Sequence, residues 1–338
     1  MKRYGQLFEK FITYENLDLA ERKARRGKGS RGEVRAFLKN REENLRNLQK
    51  RLMEGTWHTS ERFWKKVKDP KERIIGVLPY YPDLIVHYAL LNILEPIFMK
   101  MVISDTYSCI KGRGIHACSE KVVYHLHKYQ EETVYALQID ISKCYNNINH
   151  EIMKGTLRHK IKDERILAVA FDIIDSNDGL VIGDHIASWL CNVFLNPIDH
   201  KMKEVMRMRH YFRYADDIVI MAATKEELWA ALEFIERELL AIGLRVKHNA
   251  KIFPIDKQGL DFIGYVFYHD HVMLRKRIKV NLKKKVDSIV KRGLSFEEAR
   301  QELAGHWGWL KHCNSINLQK VINKKLNYNE EVFRHDAA

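Results

Sequence analysis

A chain of 338 residues with 46% apolar side chains can build several lobes around sizeable cores. Lys and Arg number 58 against 44 Asp and Glu, a formal charge of +14, which predicts a polyanionic partner. No apolar run approaches the roughly 18 residues of a membrane span, and the start Met1-Lys-Arg-Tyr lacks the apolar core of a signal peptide. Five scattered cysteines with no C-x-x-C pair point to reduced thiols in a cytosol, against a disulfide frame or a zinc site.

Residues 1–60 read as helices, with one apolar stripe through Leu7, Phe8, Phe11 and Ile12 and another through Phe37, Leu38, Leu45, Leu48 and Leu52. Between them Arg22, Lys23, Arg25, Arg26, Lys28, Arg31 and Arg35 surround Gly27, Gly29 and Gly32, which predicts a mobile basic loop able to meet phosphates. Asp69-Pro-Lys-Glu predicts a turn, Arg73–Leu78 a short strand, and Pro79 and Pro82 a break before an apolar helix through Leu84 to Leu94. Further on, Val134–Asp140 predicts a strand ending in an acid, and Asn146, Asn147 and Asn149 suit the start of a helix.

Tyr211-Phe-Arg-Tyr-Ala-Asp-Asp-Ile-Val-Ile-Met221 predicts a tight hairpin with Ala215, Asp216 and Asp217 at its tip. Lys225–Ile242 predicts an amphipathic helix over the sheet. His269-Asp-His271 falls at another hairpin turn, without a third nearby ligand to make a metal box. From residue 275 the chain is basic and helical, and Phe296–Lys311 predicts a further helix with Trp307 and Trp309 in the core.

The chemistry rests on two acidic places. Two adjacent carboxylates on a bend between buried strands repel each other unless a cation sits beside them, although Asp-rich turns are common in their own right. Asp140 ends a second strand about 75 residues upstream of that pair. Hard oxygens from two neighbouring strands suit Mg²⁺ that keeps substrate phosphates as its other ligands. Two ions roughly 3.5–4 Å apart would serve a phosphoryl transfer.

These motifs resemble those of reverse transcriptases. Tyr214-Ala-Asp-Asp217 looks like their Y-x-D-D box, and Asp140 with Tyr145 like their D-x-x-x-[F/Y]-[F/Y] motif. Lys71-Glu-Arg73-Ile-Ile-Gly-Val, Asp105 to His116, Gly179 to Asn192, Gly243 to Lys251 and Leu260 to Tyr265 are similar to further motifs of the family, in the same order over residues 70–266. Within it the chain is most similar to enzymes of bacterial and phage diversity-generating retroelements, through the Cys-x-Lys-Gly-x-Gly-x-His loop and Gly305-His-Trp-Gly-Trp-Leu-Lys-His-Cys-Asn-Ser315.

The resemblance implies an α+β right-hand polymerase: an N-terminal helical extension at 1–60, fingers at 61–133, an antiparallel palm at 134–270 with a helical insertion near 150–180, and a helical thumb at 271–338. It implies RNA-directed DNA synthesis by a bacterial or phage-encoded cytoplasmic enzyme. Asp140, Asp216, Asp217 and the Ile141 carbonyl would hold two Mg²⁺ ions, with Mn²⁺ as a substitute. Arg73, Lys111, Tyr145, Ile182, Gly183 and Lys251 are the expected nucleotide contacts, and Arg25, Arg26, Lys28, Lys283, Lys284 and Lys285 the expected nucleic-acid contacts. The expected partners are a template RNA, a primer or cDNA, dNTPs and a basic accessory protein, with no membrane.

Ile182 stands where reverse transcriptases usually carry Gln, a replacement that in diversity-generating enzymes accompanies errors opposite template adenine. Ala187-Ser188 departs from that subgroup's Ser-Gln pair. The alternatives are a retron, group II intron-like or phage-defence enzyme, or an inactive scaffold with a polymerase fold. About 25 residues after Lys311 are too few for an added RNase H, endonuclease or protease unit.

Overall fold

The computed structural model describes residues 3–68, 72–328 and 332. Residues 69–71 of the predicted Asp69-Pro-Lys-Glu turn, Lys71 among them, therefore lie outside the described residues, and Glu72 already belongs to a strand. Strand β1 (Phe63–Lys68) pairs antiparallel with β2 (Glu72–Val77), one residue earlier at each end than the sequence predicts. β3 (Thr106–Tyr107), β4 (Tyr135–Asp140), β5 (His210–Tyr214), β6 (Asp217–Ala222) and β7 (Lys251–Pro254) form a five-stranded sheet in the order β3-β5-β6-β4-β7. Every pair in it is antiparallel except the two-residue edge strand β3, which runs parallel to β5. β8 (Leu260–Phe262), β9 (Tyr265–Phe267) and β10 (Val272–Leu274) form a second, antiparallel sheet.

The central sheet divides two cores, and its period-2 alternation assigns residues to each. Leu137, Ile139, Tyr211, Ile218 and Ile220 face one core, shared with the N-terminal helices and helix Ala187–Glu204. Ala136, Phe212, Val219, Met221 and Phe253 face the other, shared with the small sheet and the C-terminal helices. Such strands are buried on both faces, which is why β5 and β6 read as near-continuous apolar runs.

The first stripe falls on the short helix Phe8–Phe11 and the second on Gly32–Lys39 and Arg41–Met53, while helix Tyr14–Arg25 carries neither. The basic segment breaks the helices as the glycines predict, as turns over residues 26–31. Gly32 already starts a helix, and the short link before it closes through Lys28 N–H to Arg25 O at 2.8 Å and Arg31 N–H to Lys28 O at 3.0 Å. Arg25 is also committed, its Nε 3.2 Å from the buried carboxylate of Glu21. Helices His150–Lys160 and Glu164–Asp175 form the insertion between β4 and β5, the first of them N-capped by Asn149. Lys225–Ala241 covers the sheet, one residue shorter than the sequence predicts. The C-terminal helices are Lys276–Arg292, Phe296–Leu310 and Ile316–Leu326.

Candidate active site

The register of β4 on β6 brings the acids together. Asp140 lies directly opposite Asp217, and both side chains belong to the face that alternation gives to Ala136 and Val219. β5 and β6 are joined by Ala215 and Asp216 alone, so Asp217 is the first residue of a strand and not part of the tip. Ala215 has φ 55°, the left-handed conformation a two-residue hairpin turn demands. The Ile141 N–H donates to Asp216 O at 3.4 Å, tying that turn to the end of β4.

The acids lie in a cleft of about 1130 Å³. Arg73, Tyr145, Ile182, Gly183, Lys251 and Ile141 line it too, as the sequence predicts, together with Lys143, Lys247, Arg275 and Arg277. Burial, then the neighbouring charge of Asp140, raises the pKa of Asp216, with Lys247 and Arg73 opposing. Burial, then Asp216 and Asp140, pushes Asp217 up to about 6. Asp217 keeps an accessible face on the cleft while the wall of the sheet crowds the rest of its carboxylate. The excess negative charge and the hard oxygen donors fit a divalent cation.

Among the described residues, no three His, Cys, Asp or Glu side chains converge closely enough to enclose a metal ion unaided. The donor set here would thus be completed by a backbone carbonyl and by substrate oxygens, a pattern Mg²⁺ favours. His269 is spent elsewhere, with Asp256 at 2.7 Å and Thr133 at 3.0 Å.

Two features escaped the sequence reading. Lys247 forms an ion pair with Asp140, and its N–H donates to Asp140 O at 2.8 Å. Beneath the hairpin turn, the fully buried Arg213 spends all five N–H donors: two on Asp199 at 2.6 and 2.7 Å, two on Asn192 at 3.0 and 3.1 Å, and one on Ala215 O at 2.8 Å. Asp199 also accepts from Tyr211 and Thr106 at 2.6 and 3.0 Å. The turn carrying Asp216 is therefore held from below by a closed network. An Arg inside a strand and an Asp in a following or preceding helix give no local signal for such a pair.

Glycines set the opposite wall. At Gly179, φ is 67° and a Cβ would lie 2.4 Å from Asn146 O, so only glycine lets this segment pass the Tyr145 turn. Leu180 N–H then donates to Tyr145 O at 2.7 Å.

The remaining predicted contacts are not in the cleft. Lys111 sits on a turn near β3 and does not line it. Lys28 stands 6.0 Å from the Tyr88 ring, and Arg26 follows the end of helix Tyr14–Arg25. Lys283 and Lys284 are exposed on helix Lys276–Arg292, whereas Lys285 reaches Glu302 at 2.5 Å.

A mostly antiparallel sheet with paired acids at the base of a cleft and helices on both faces defines a nucleic-acid polymerase of the right-hand type. The apo telomerase of Candida tropicalis shares the fold, with a TM-score of 0.50 at 14% identity over 80% of this chain and 62% of that one. A Candida albicans telomerase in complex with a fragment of telomeric RNA matches with a TM-score of 0.50 at 10% identity, over 80% of this chain and 60% of that one. The family described as "Reverse transcriptase (RNA-dependent DNA polymerase)" matches residues 65–267. The chain belongs to the reverse transcriptase family.

It is 23% identical over 292 residues to protein YkfC of Escherichia coli K12, covering 72% of this chain and 75% of that protein. It is 23% identical over 264 residues to the retron Ec73 reverse transcriptase of Escherichia coli, covering 72% of this chain and 81% of the relative. The putative COX1/OXI3 intron 2 protein of Saccharomyces cerevisiae is 20% identical over 205 residues, 40% of this chain and 24% of that one. Among the described residues no helix is long and apolar enough to cross a membrane.

Proposed function

We propose that this chain copies RNA into DNA by nucleotidyl transfer at Asp140, Asp216 and Asp217. The observation that carries it is the register of β4 on β6, which sets Asp140 against Asp217 with Asp216 on the adjoining turn. These carboxylates and the Ile141 carbonyl would hold two Mg²⁺ ions, which when bound acidify the primer 3′-hydroxyl and neutralise charge on the reacting phosphate.

The protein's own share is mostly positioning. Arg73 offers a two-point fork to triphosphate oxygens. Lys251, the first residue of β7, faces charge developing on the leaving group. The Tyr145 ring, half-buried beside the cleft, restricts the sugar's 2′ position and favours deoxynucleotides. Lys247 serves as counter-ion to Asp140. In this reading β1 and β2 belong to fingers, the five-stranded sheet to palm, and helices from Lys276 onward to thumb. Lys283, Lys284 and the N-terminal Arg26 and Lys28 would meet the template–product duplex or RNA through phosphates.

Substituting Asp216→Asn and measuring dNTP addition on a primed RNA template tests the reading. Activity abolished in the variant supports it, whereas a wild-type chain with no activity to lose would make it a scaffold.

The finer assignment is a mutagenic enzyme of a diversity-generating retroelement, working in a bacterial or phage cytoplasm with a structured RNA and a basic accessory protein. Ile182 supports it, because an aliphatic side chain on the cleft wall offers no hydrogen bond toward the template base. Similarity to a retron reverse transcriptase and to an intron protein supports a retron or group II intron-like role instead. Sequencing cDNA made on the native RNA separates them: errors concentrated at template adenines favour the first, evenly spread errors the second.

A further inference from the structure

Behind Ile182 lies a second buried polar cluster. Arg62 Nη2 donates to Asp184 Oδ2 at 2.6 Å, and the two side chains are only 4% and 5% exposed. Arg62 Nη1 reaches Ser176 O at 3.3 Å. Asp83, fully buried, accepts from Ser60 N–H at 3.0 Å, and its charge is felt by Asp184. His87, also buried, feels the charge of Arg62. Each of these four residues keeps one buried polar atom without a hydrogen-bond partner among the described residues: Arg62 Nε, Asp83 Oδ2, His87 Nε2 and Asp184 Oδ1.

Buried, unmatched polar atoms cost free energy, and a cluster of them next to a site marks a place where charge position matters more than stability. What this charge positions is the loop at 181–186. Gly76 N–H of β2 donates to Ile182 O at 3.1 Å. Gly183 passes so close to β2 that a Cβ would lie 2.6 Å from Gly76 O. A Cβ on Gly76 would meet Val181 at 2.5 Å and the Arg62 stem at 2.9 Å. His185 stacks on Tyr88 with ring centroids 3.9 Å apart. Arg62, immediately before β1, thus clamps the loop against the β1–β2 hairpin while Ile182 and Gly183 line the cleft.

We infer that Arg62 and Asp184 are positioning residues that fix the Ile182–Gly183 wall relative to the β1–β2 hairpin, and so set base selection without taking part in the chemistry. The base-selection half rests on the polymerase reading above; the clamping half does not.

Two measurements test the halves separately. Hydrogen exchange of the Gly76 and Asp184 amides, both bonded to the loop, needs no catalysis. Asp184→Asn, which keeps the side-chain shape, and Arg62→Lys should each speed it about tenfold while β6 amides keep their rates. Unchanged exchange in both variants overturns the clamp.

Single-nucleotide insertion on a primed RNA template then reads selection. The expected result is a misinsertion ratio up about fivefold and a raised dNTP KM, with kcat within about twofold of wild type. Asp163→Ala is the control, since it removes the acceptor of the Leu7 and Phe8 N–H groups at 2.6 and 2.9 Å and touches nothing in the loop. It should lower the melting temperature and leave the misinsertion ratio alone. If Asp184→Asn and Arg62→Lys behave like this control, the pair is merely structural and the inference falls. A wild-type enzyme inactive on RNA, with the exchange result intact, instead fails the polymerase reading alone.

Discussion

Two buried Arg–Asp pairs flank the cleft, and they are built differently. Arg213–Asp199, below the turn that carries Asp216, is saturated: every guanidinium N–H is used and Asp199 receives two hydroxyls besides. Arg62–Asp184, behind the loop that carries Ile182, leaves Nε and Oδ1 unmatched and shares its surroundings with a second carboxylate and a neutral imidazole. A saturated buried pair resists displacement, because any movement strands charges in a medium of low dielectric. An unsaturated one has less to lose by shifting. The acids thus rest on a fully paired network, whereas the Ile182–Gly183 wall is clamped by a pair with polar capacity left over.

The largest effect that could break this contrast is at Asp199. Asp199→Ala should cost about 3–5 kcal/mol in denaturant unfolding, because it abandons the fully buried Arg213 charge. A loss no greater than that of Asp184→Ala would remove the distinction between the pairs. Next comes Asp83→Asn. Burial raises the Asp83 pKa, so removing this charge relieves the cluster, and stability should stay within about 1 kcal/mol of wild type or rise. A strongly destabilised Asp83→Asn would show that the carboxylate is fully compensated after all.

The third is a pH dependence. Burial, with lesser contributions from Arg62 and His185, lowers the His87 pKa to about 3, whereas an unfolded histidine titrates near 6.5. Below pH 6.5 the unfolded chain binds this proton and the folded chain does not, so stability falls as pH falls, by about 1.4 kcal/mol per unit. Asp83 and Asp184, both raised by burial, act with the opposite sign: their contribution is lost as pH rises through their folded pKa. The difference between wild type and His87→Leu isolates the imidazole, and wild-type stability minus that of the variant should fall steadily from pH 6.5 to 4. A flat difference would place a proton on His87 in the fold.

The smallest effect is at Lys247. Lys247→Met removes the cation on Asp140 and should tighten Mg²⁺ binding about threefold by calorimetry without substrate. Weaker binding would make Lys247 a necessary support of the acids.

Much of this was legible in the chain because its signals are local. Alternation in Tyr135–Asp140 and in the Tyr211–Met221 hairpin fixes which side chains share a face, and the register of β4 on β6 then sets Asp140 opposite Asp217. The Asn149 cap and the Lys225 helix follow from short-range rules too. What was hidden is side-chain pairing between elements, at any separation: Arg62 and Asp184 are 122 residues apart and Lys247 and Asp140 107, but Arg213 and Asp199 only 14. Pairing of that kind depends on packing, which no window of sequence contains. The same limit explains Arg25 and Lys111. Their charge and flanking glycines suggested phosphate contacts, but Glu21 claims the first and the second lies away from the cleft.

The two-residue link at Ala215 and Asp216 carries a consequence for how this protein can vary. Because Arg213 grips the Ala215 carbonyl from beneath, one inserted residue could not be absorbed as a looser bend. It would slip the hairpin by one position and turn Asp217 toward the wrong core. Change by added length is therefore closed at this spot, and only side-chain exchange remains open to it.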